Sequence, residues 1–216
     1  MTWRAVVFDL DGTLVDSAGT VVEATREACL ELGLSPPDEE AVRTRIGLPL
    51  ATMLAGAGAP AGRMDEAMAA YRRAYPACAE RCERPFTRIP ELLDDLAEAG
   101  VLLAVATGKS QGGADNAVHR HAWVDRFQVV LGAAAHRRGK PAPDLLLEVL
   151  EGLGVAPAEA VMVGDTTFDL AMARAAGVGA IGVTWGVHDE VRLRAERPLE
   201  VVRDPGSLRR VLGFGG

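Results

Sequence analysis

Asp9 and Asp11 are separated by one residue, where the apolar run Ala5-Val6-Val7-Phe8 gives way to Gly12-Thr13. If that run is a strand, its side chains repeat every two residues and the two carboxylates face the same way. Like charges so placed repel unless one is protonated or a cation lies between them. Such a pair suits a metal-assisted nucleophile beside an acid/base far better than it suits packing.

Three further segments carry chemistry. Ala106-Thr107-Gly108-Lys109-Ser110 sets a hydroxyl and free backbone N–H groups ahead of a helix start, a cradle for an anion. The same Thr-Gly would serve equally as a turn with a helix cap. Gly139-Lys140-Pro141-Ala142-Pro143-Asp144 holds a lysine with prolines at a helix entry. Lys109 and Lys140 are the only lysines among 23 lysine and arginine residues, which marks both. Gly164-Asp165-Thr166-Thr167-Phe168-Asp169 adds carboxylates at i and i+4. Alone, either is a helix cap or first-turn acid. Facing Asp9 and Asp11, they make a site for a hard cation, which takes oxygen ligands.

These residues need elements to position them. Short apolar runs at Ala5–Asp9, Val101–Thr107, Gln128–Leu131, Ala160–Gly164 and Gly179–Val183 have the form of strands buried on both faces of a parallel sheet. Helical patterns over Ile89–Ala99, Asp144–Leu153 and Thr166–Ala176 lie between them, each followed by glycine. This alternation predicts a doubly wound, Rossmann-like α/β core. Ligands of such sheets bind beyond the C-terminal strand ends, where all four segments fall.

One spacing is anomalous. A βαβ unit takes about 30 residues, yet Asp9 and the second strand lie about ninety apart. The surplus predicts an inserted, all-helical cap over residues 16–84, with the core formed by 1–15 and 85–216. Val21, Thr25, Ala28 and Leu32 make one apolar stripe of the insert; Met64, Met68, Tyr71, Tyr75 and Cys78 make another, with Pro76 bending or ending that helix. Leaving after the first strand, the cap would lie over the crevice as a lid. Its 8 arginines and 11 acidic residues are too balanced to draw a charged macromolecule.

The bulk numbers agree. At 216 residues, 49% hydrophobic and 25% charged, the chain can bury a large core. A net charge of -7 argues against nucleic acid or an anionic membrane as partner. No apolar run approaches a membrane span and the N-terminus shows no signal-peptide pattern, so the expectation is a cytoplasmic protein. Cys29, Cys78 and Cys82 read as free thiols, and the four histidines as surface or packing residues. Oligomeric state is not legible.

In order, Asp9–Thr13 (DLDGT), Thr107 of ATGKS, Lys140 of GKPAPD and Gly164–Asp169 (GDTTFD) resemble the four motifs of the haloacid dehalogenase-like hydrolases. The resemblance is in particular to the phosphoglycolate phosphatase-like members with a helical cap, and it covers nearly the whole chain up to about Trp185. It implies that Asp9 attacks phosphorus to form an aspartyl-phosphate, while Asp11 serves as acid and then base. It implies Mg²⁺ held by Asp9, the Asp11 carbonyl and Asp165, with Asp169 close behind. Thr107 and the Gly108 N–H would hold a phosphoryl oxygen, and Lys140 would offset charge. The substrate would be a small phosphorylated metabolite. Asp11 argues against C–halogen cleavage, and the lack of any lysine in the insert argues against a Schiff-base phosphonatase. A β-phosphoglucomutase-like mutase is the alternative, with a non-catalytic phospho-ligand-binding module behind it. Arg43 and Arg45, beside Gly47-Leu48-Pro49, are the candidates for reading a substrate carboxylate.

Overall fold

The computed structural model describes residues 3–213; positions 1, 2 and 214–216 of the expected core lie outside the described residues. Six strands form one parallel sheet: β1 (Ala5–Phe8), β4 (Leu102–Ser110), β5 (Val129–Ala133), β6 (Ala160–Gly164), β7 (Gly179–Val183) and β8 (Glu200–Val202). Their spatial order is β5-β4-β1-β6-β7-β8, every pair parallel. The chain runs from β1 outward to β4 and β5, then returns to the other side of β1 with β6. That reversal opens a crevice at the C-terminal end of β1.

Both faces of the sheet are buried, which is why its strands are apolar without alternation. Val6, Phe8, Val105 and Val163 pack on one face, against α5 (Ile89–Glu98), α6 (Gln111–Arg120) and α10 (Pro205–Val211). Ala5, Val7, Ala104 and Met162 pack on the other, against α7 (Asp144–Leu153), α8 (Thr167–Ala175) and α9 (Glu190–Ala195). The apolar stripe Ile89, Leu92, Leu93 and Leu96 of α5 is buried throughout.

Between β1 and α5 the chain forms α1 (Ala18–Glu31), α2 (Glu39–Arg43), α3 (Leu50–Gly56) and α4 (Met64–Cys82). These helices close on an apolar cluster of their own, including Val21, Val42, Met53, Leu54 and Tyr71. The expectation of an insert without strands is corrected at its two ends. β2 (Val15–Asp16) and β3 (Arg84–Pro85) pair antiparallel, Asp16 opposite Arg84, as a two-residue ribbon where the chain leaves and rejoins the core. Pro76 does not end its helix; α4 runs through it. The tail after Trp185, which the motifs left uninformative, supplies β8, α9 and α10. No described helix is long and apolar enough to cross a membrane.

Candidate active site

Three adjacent strands deliver the site. Phe8 at the end of β1 is in register with Val105 of β4 and Val163 of β6. Asp9 follows Phe8 directly, while Thr107 and Asp165 each stand two residues beyond its partners. The strand ends at Phe8, so strand alternation does not align Asp9 with Asp11 as the spacing predicted. Asp11 lies in the turn beyond, where Gly12 takes φ 78°. A Cβ on Gly12 would come within 2.2 Å of the Asp165 Oδ2, so the turn needs glycine twice over.

Asp9, Asp165 and Asp169 are wholly buried, and one ligand atom from each lies within 4.8 Å of the others. Asp165 accepts from Thr13 Oγ1 at 2.8 Å and from the Val187 N–H at 2.8 Å. Asp169 serves two purposes. It completes a capping box with Thr166 at the start of α8, and its Oδ1 stands 2.6 Å from Lys140 Nζ. Lys140 also reaches Asp9 Oδ1 at 2.9 Å. That ion pair aside, neither Asp9 oxygen has a hydrogen-bond partner among the described residues. A buried carboxylate with free lone pairs beside two more carboxylates is a donor set for a hard cation.

The electrostatics point the same way. Burial, opposed by Lys140 and reinforced by Asp169, Asp165 and Asp11, pushes Asp9 well above the ordinary carboxylate range. Burial and then Asp169 push Asp165 up to about 7. Burial would lower the Lys140 ammonium, but Asp169 and Asp9 outweigh it and hold the group above its usual value. One lysine faces three carboxylates, and a divalent cation would offset the excess.

Asp11 is held apart from that group. Ser17 Oγ donates to its Oδ1, and Lys109 Nζ lies 3.0 Å from the same oxygen. Lys109, singled out in sequence only by scarcity, also donates to the Tyr75 hydroxyl and sits 4.1 Å from the centre of that ring. Tyr75 in turn donates to Glu83, a buried residue at the end of α4 whose other oxygen takes Arg120 at 2.8 Å and faces His121 at 3.3 Å. A polar chain thus runs from the ribbon at the base of the helical insert to Asp11. Glu83 gave no signal in sequence and Tyr75 read only as part of the insert's apolar stripe, because Lys109, Arg120 and His121 reach them from distant segments.

Burial favours a protonated Glu83, yet His121, Lys109, Tyr75 and Arg120 together hold it at about 2. A depressed carboxylate stabilises the fold above its unfolded value and loses that contribution as pH falls through the folded one. Glu83→Gln is therefore expected to lower the unfolding free energy by about 3 kcal/mol at neutral pH. The gap from wild type should narrow as pH drops from about 4.5 toward about 2. Urea unfolding at several pH values checks this; a gap constant with pH would refute it.

Thr107 is buried, and its hydroxyl accepts the Lys109 N–H at 3.3 Å. A Cβ on Gly108 would lie 2.5 Å from the Gly47 carbonyl oxygen, so the loop before α3 rests directly on this backbone. Two cavities meet there. One of about 290 Å³ is lined by Asp11, Gly108, Lys109 and residues of the helical insert. The other, of about 380 Å³, is lined by Thr107, Gly108 and Lys140.

Arg43 and Arg45 line neither cavity. Arg43 pairs with Glu39 one turn back on its own exposed helix. Arg45 donates to the Ala41 carbonyl and lies so close over Gly56 that a Cβ there would meet its Nε at 2.1 Å. The arginine of the helical insert that lines both cavities is Arg72, on α4. The tail also reaches the site. Trp185 Nε1 donates to the Thr13 carbonyl at 3.0 Å. His188 is buried, with Nδ1 accepting the Thr167 N–H at the start of α8, and burial lowers its pKa.

The haloacid dehalogenase-like hydrolase family profile matches residues 6–183. The protein named "Probable phosphatase IndB" of Dickeya dadantii (strain 3937) is 38% identical, over 91% of this chain and 88% of its own length. A phosphoglycolate phosphatase of Rhodospirillum rubrum is 34% identical, over 98% of this chain and 91% of its own. A haloacid dehalogenase-like family hydrolase of Streptococcus pneumoniae superposes with a TM-score of 0.86 at 28% identity, covering 97% of this chain and 98% of that one. With its sheet, its motif order and these relatives in agreement, the chain belongs to the haloacid dehalogenase-like hydrolase family, among its phosphoric monoester hydrolases.

Proposed function

We propose that the protein is a Mg²⁺-dependent, phosphoglycolate phosphatase-like enzyme that hydrolyses a small phosphate monoester through an aspartyl-phosphate on Asp9. Residues 16–84 act as the cap, and 1–15 with 85–216 as the catalytic core. The observation that carries the reading is the buried Asp9 carboxylate, paired with Lys140 but with no further partner among the described residues, beside Asp165 and Asp169.

Lys140 orients Asp9 and neutralises part of the charge that an incoming phosphate meets. An Asp9 oxygen attacks phosphorus and the ester P–O bond breaks, with Asp11 giving its proton to the departing alkoxide. Thr107 and the Gly108 N–H hold a phosphoryl oxygen through the transfer. Asp11, now a carboxylate, takes a proton from water; the water oxygen attacks phosphorus and the bond to Asp9 breaks, releasing inorganic phosphate. Asp9, Asp165, Asp169 and the Asp11 carbonyl would hold Mg²⁺, which when bound screens the carboxylates and stabilises transition-state charge. The phosphatase names of the relatives favour hydrolysis over the mutase alternative.

Hydrolysis of p-nitrophenyl phosphate should vanish in EDTA and return on adding Mg²⁺ in excess. Added Mg²⁺ should also raise the melting temperature, since it binds the folded cluster and not the unfolded chain. Full activity in metal-free buffer would refute the proposal.

A further inference from the structure

From the division between the two cavities, and resting on the phosphatase reading above, we infer that the alcohol leaving group is an apolar body of ring size. The leaving oxygen must lie within reach of Asp11, and Asp11 lines the first cavity but not the second. Thr107 and Lys140, which face the phosphoryl group, line the second but not the first. Gly108 lines both and marks the junction where phosphorus sits. The body of the alcohol therefore extends into the first cavity.

That cavity is walled by Ile46, Leu48, Leu50, Met53, Tyr71 and Tyr75. The two tyrosine rings, 5.5 Å apart at a tilt of 40°, give the wall aromatic surface of the kind a third ring packs against. Its charged wall residues near the reacting end are already engaged: Lys109 with Asp11 and Tyr75, and Arg120 with Glu83. A volume of about 290 Å³ is far more than a two-carbon body fills. A charged carboxylate set against these apolar walls would lose hydration there and be drawn to the exposed Arg72 instead, whereas an apolar ring gains from every contact with them. Arg72 and Asn116, both exposed, are the wall groups left for polar substituents on such a ring.

The test compares benzyl phosphate, ethyl phosphate and 2-phosphoglycolate, with acetyl phosphate as an independent readout of phosphatase activity. Benzyl and ethyl phosphate are both esters of primary alcohols, so their ratio reports recognition of the body rather than leaving-group quality. The expected kcat/KM for benzyl phosphate exceeds that for ethyl phosphate by about 10²-fold. Leu48→Gln and Leu50→Gln, both half-buried wall positions, should each cut that ratio by about tenfold. Hydrolysis of acetyl phosphate with a benzyl-to-ethyl ratio near one, or with 2-phosphoglycolate preferred, overturns the substrate class and leaves the phosphatase reading standing. A large ratio unmoved by either variant overturns the placement in this cavity. No hydrolysis of any of the four, acetyl phosphate included, overturns both.

Discussion

Asp9→Asn is expected to abolish turnover, by roughly 10⁶-fold, the scale on which removal of an enzymic nucleophile is felt. The amide has the shape of the carboxylate and can present its oxygen to Lys140, so the change is chemical rather than steric. It also replaces a group whose burial, opposed by Lys140 and reinforced by Asp169, Asp165 and Asp11, disfavours the ionised form. The metal-free variant should therefore melt no lower than wild type, which separates loss of the nucleophile from loss of the fold. Steady-state assays, acid-quench trapping of the phosphoenzyme and thermal unfolding together decide the matter. Activity within tenfold of wild type, or phosphate trapped on another residue, would remove Asp9 from its role.

Much of this was legible because it is written in residue types at fixed spacing. The buried parallel strands read as continuous apolar runs, and the surplus length after Asp9 is taken up by the four helices α1 to α4. The strand ends then set Asp9, Thr107 and Asp165 just beyond three residues that the register pairs, Phe8, Val105 and Val163. What failed to show depends on contacts between distant segments or on backbone groups. Val187 serves Asp165 through its N–H, which any residue but proline offers. The ribbon of β2 and β3 is two residues per strand, too short to carry a period. β8 carries only Glu200-Val201-Val202 and lies at the edge of the sheet, so it lacks the long apolar run of its neighbours.

Arginine shows the limit most clearly. Guanidinium chemistry made Arg43 and Arg45 candidates, but which way each points is set by Glu39, the Ala41 carbonyl and the glycine at 56. Arg72 has the same side chain and sits on the wall of both cavities, a fact of helix rotation in α4 that its neighbours in sequence do not announce. Lys109 was suspected for its rarity; its tie to Tyr75, 34 residues earlier, exists only because α4 folds back onto the C-terminal end of β4.

Asp11→Asn should separate the two halves of the reaction. An amide cannot give a proton to a departing alkoxide or take one from water, and such general acid–base assistance is worth about 10²–10⁴-fold. The two steps depend on it unequally, and the leaving group decides how. p-Nitrophenolate departs without a proton, so phosphorylation of Asp9 should survive in the variant while hydrolysis of the aspartyl-phosphate stalls. The expected trace is a burst of about one p-nitrophenolate per enzyme followed by slow turnover, with phosphoenzyme accumulating. An alkyl phosphate needs the proton at the first step, so the same variant should show neither burst nor accumulated phosphoenzyme with ethyl phosphate. Asn keeps an oxygen for Ser17 and Lys109, so their positions and the tie to α4 through Tyr75 should persist. Wild-type turnover, or equal loss on both esters without a burst on either, would place the proton transfers on another group.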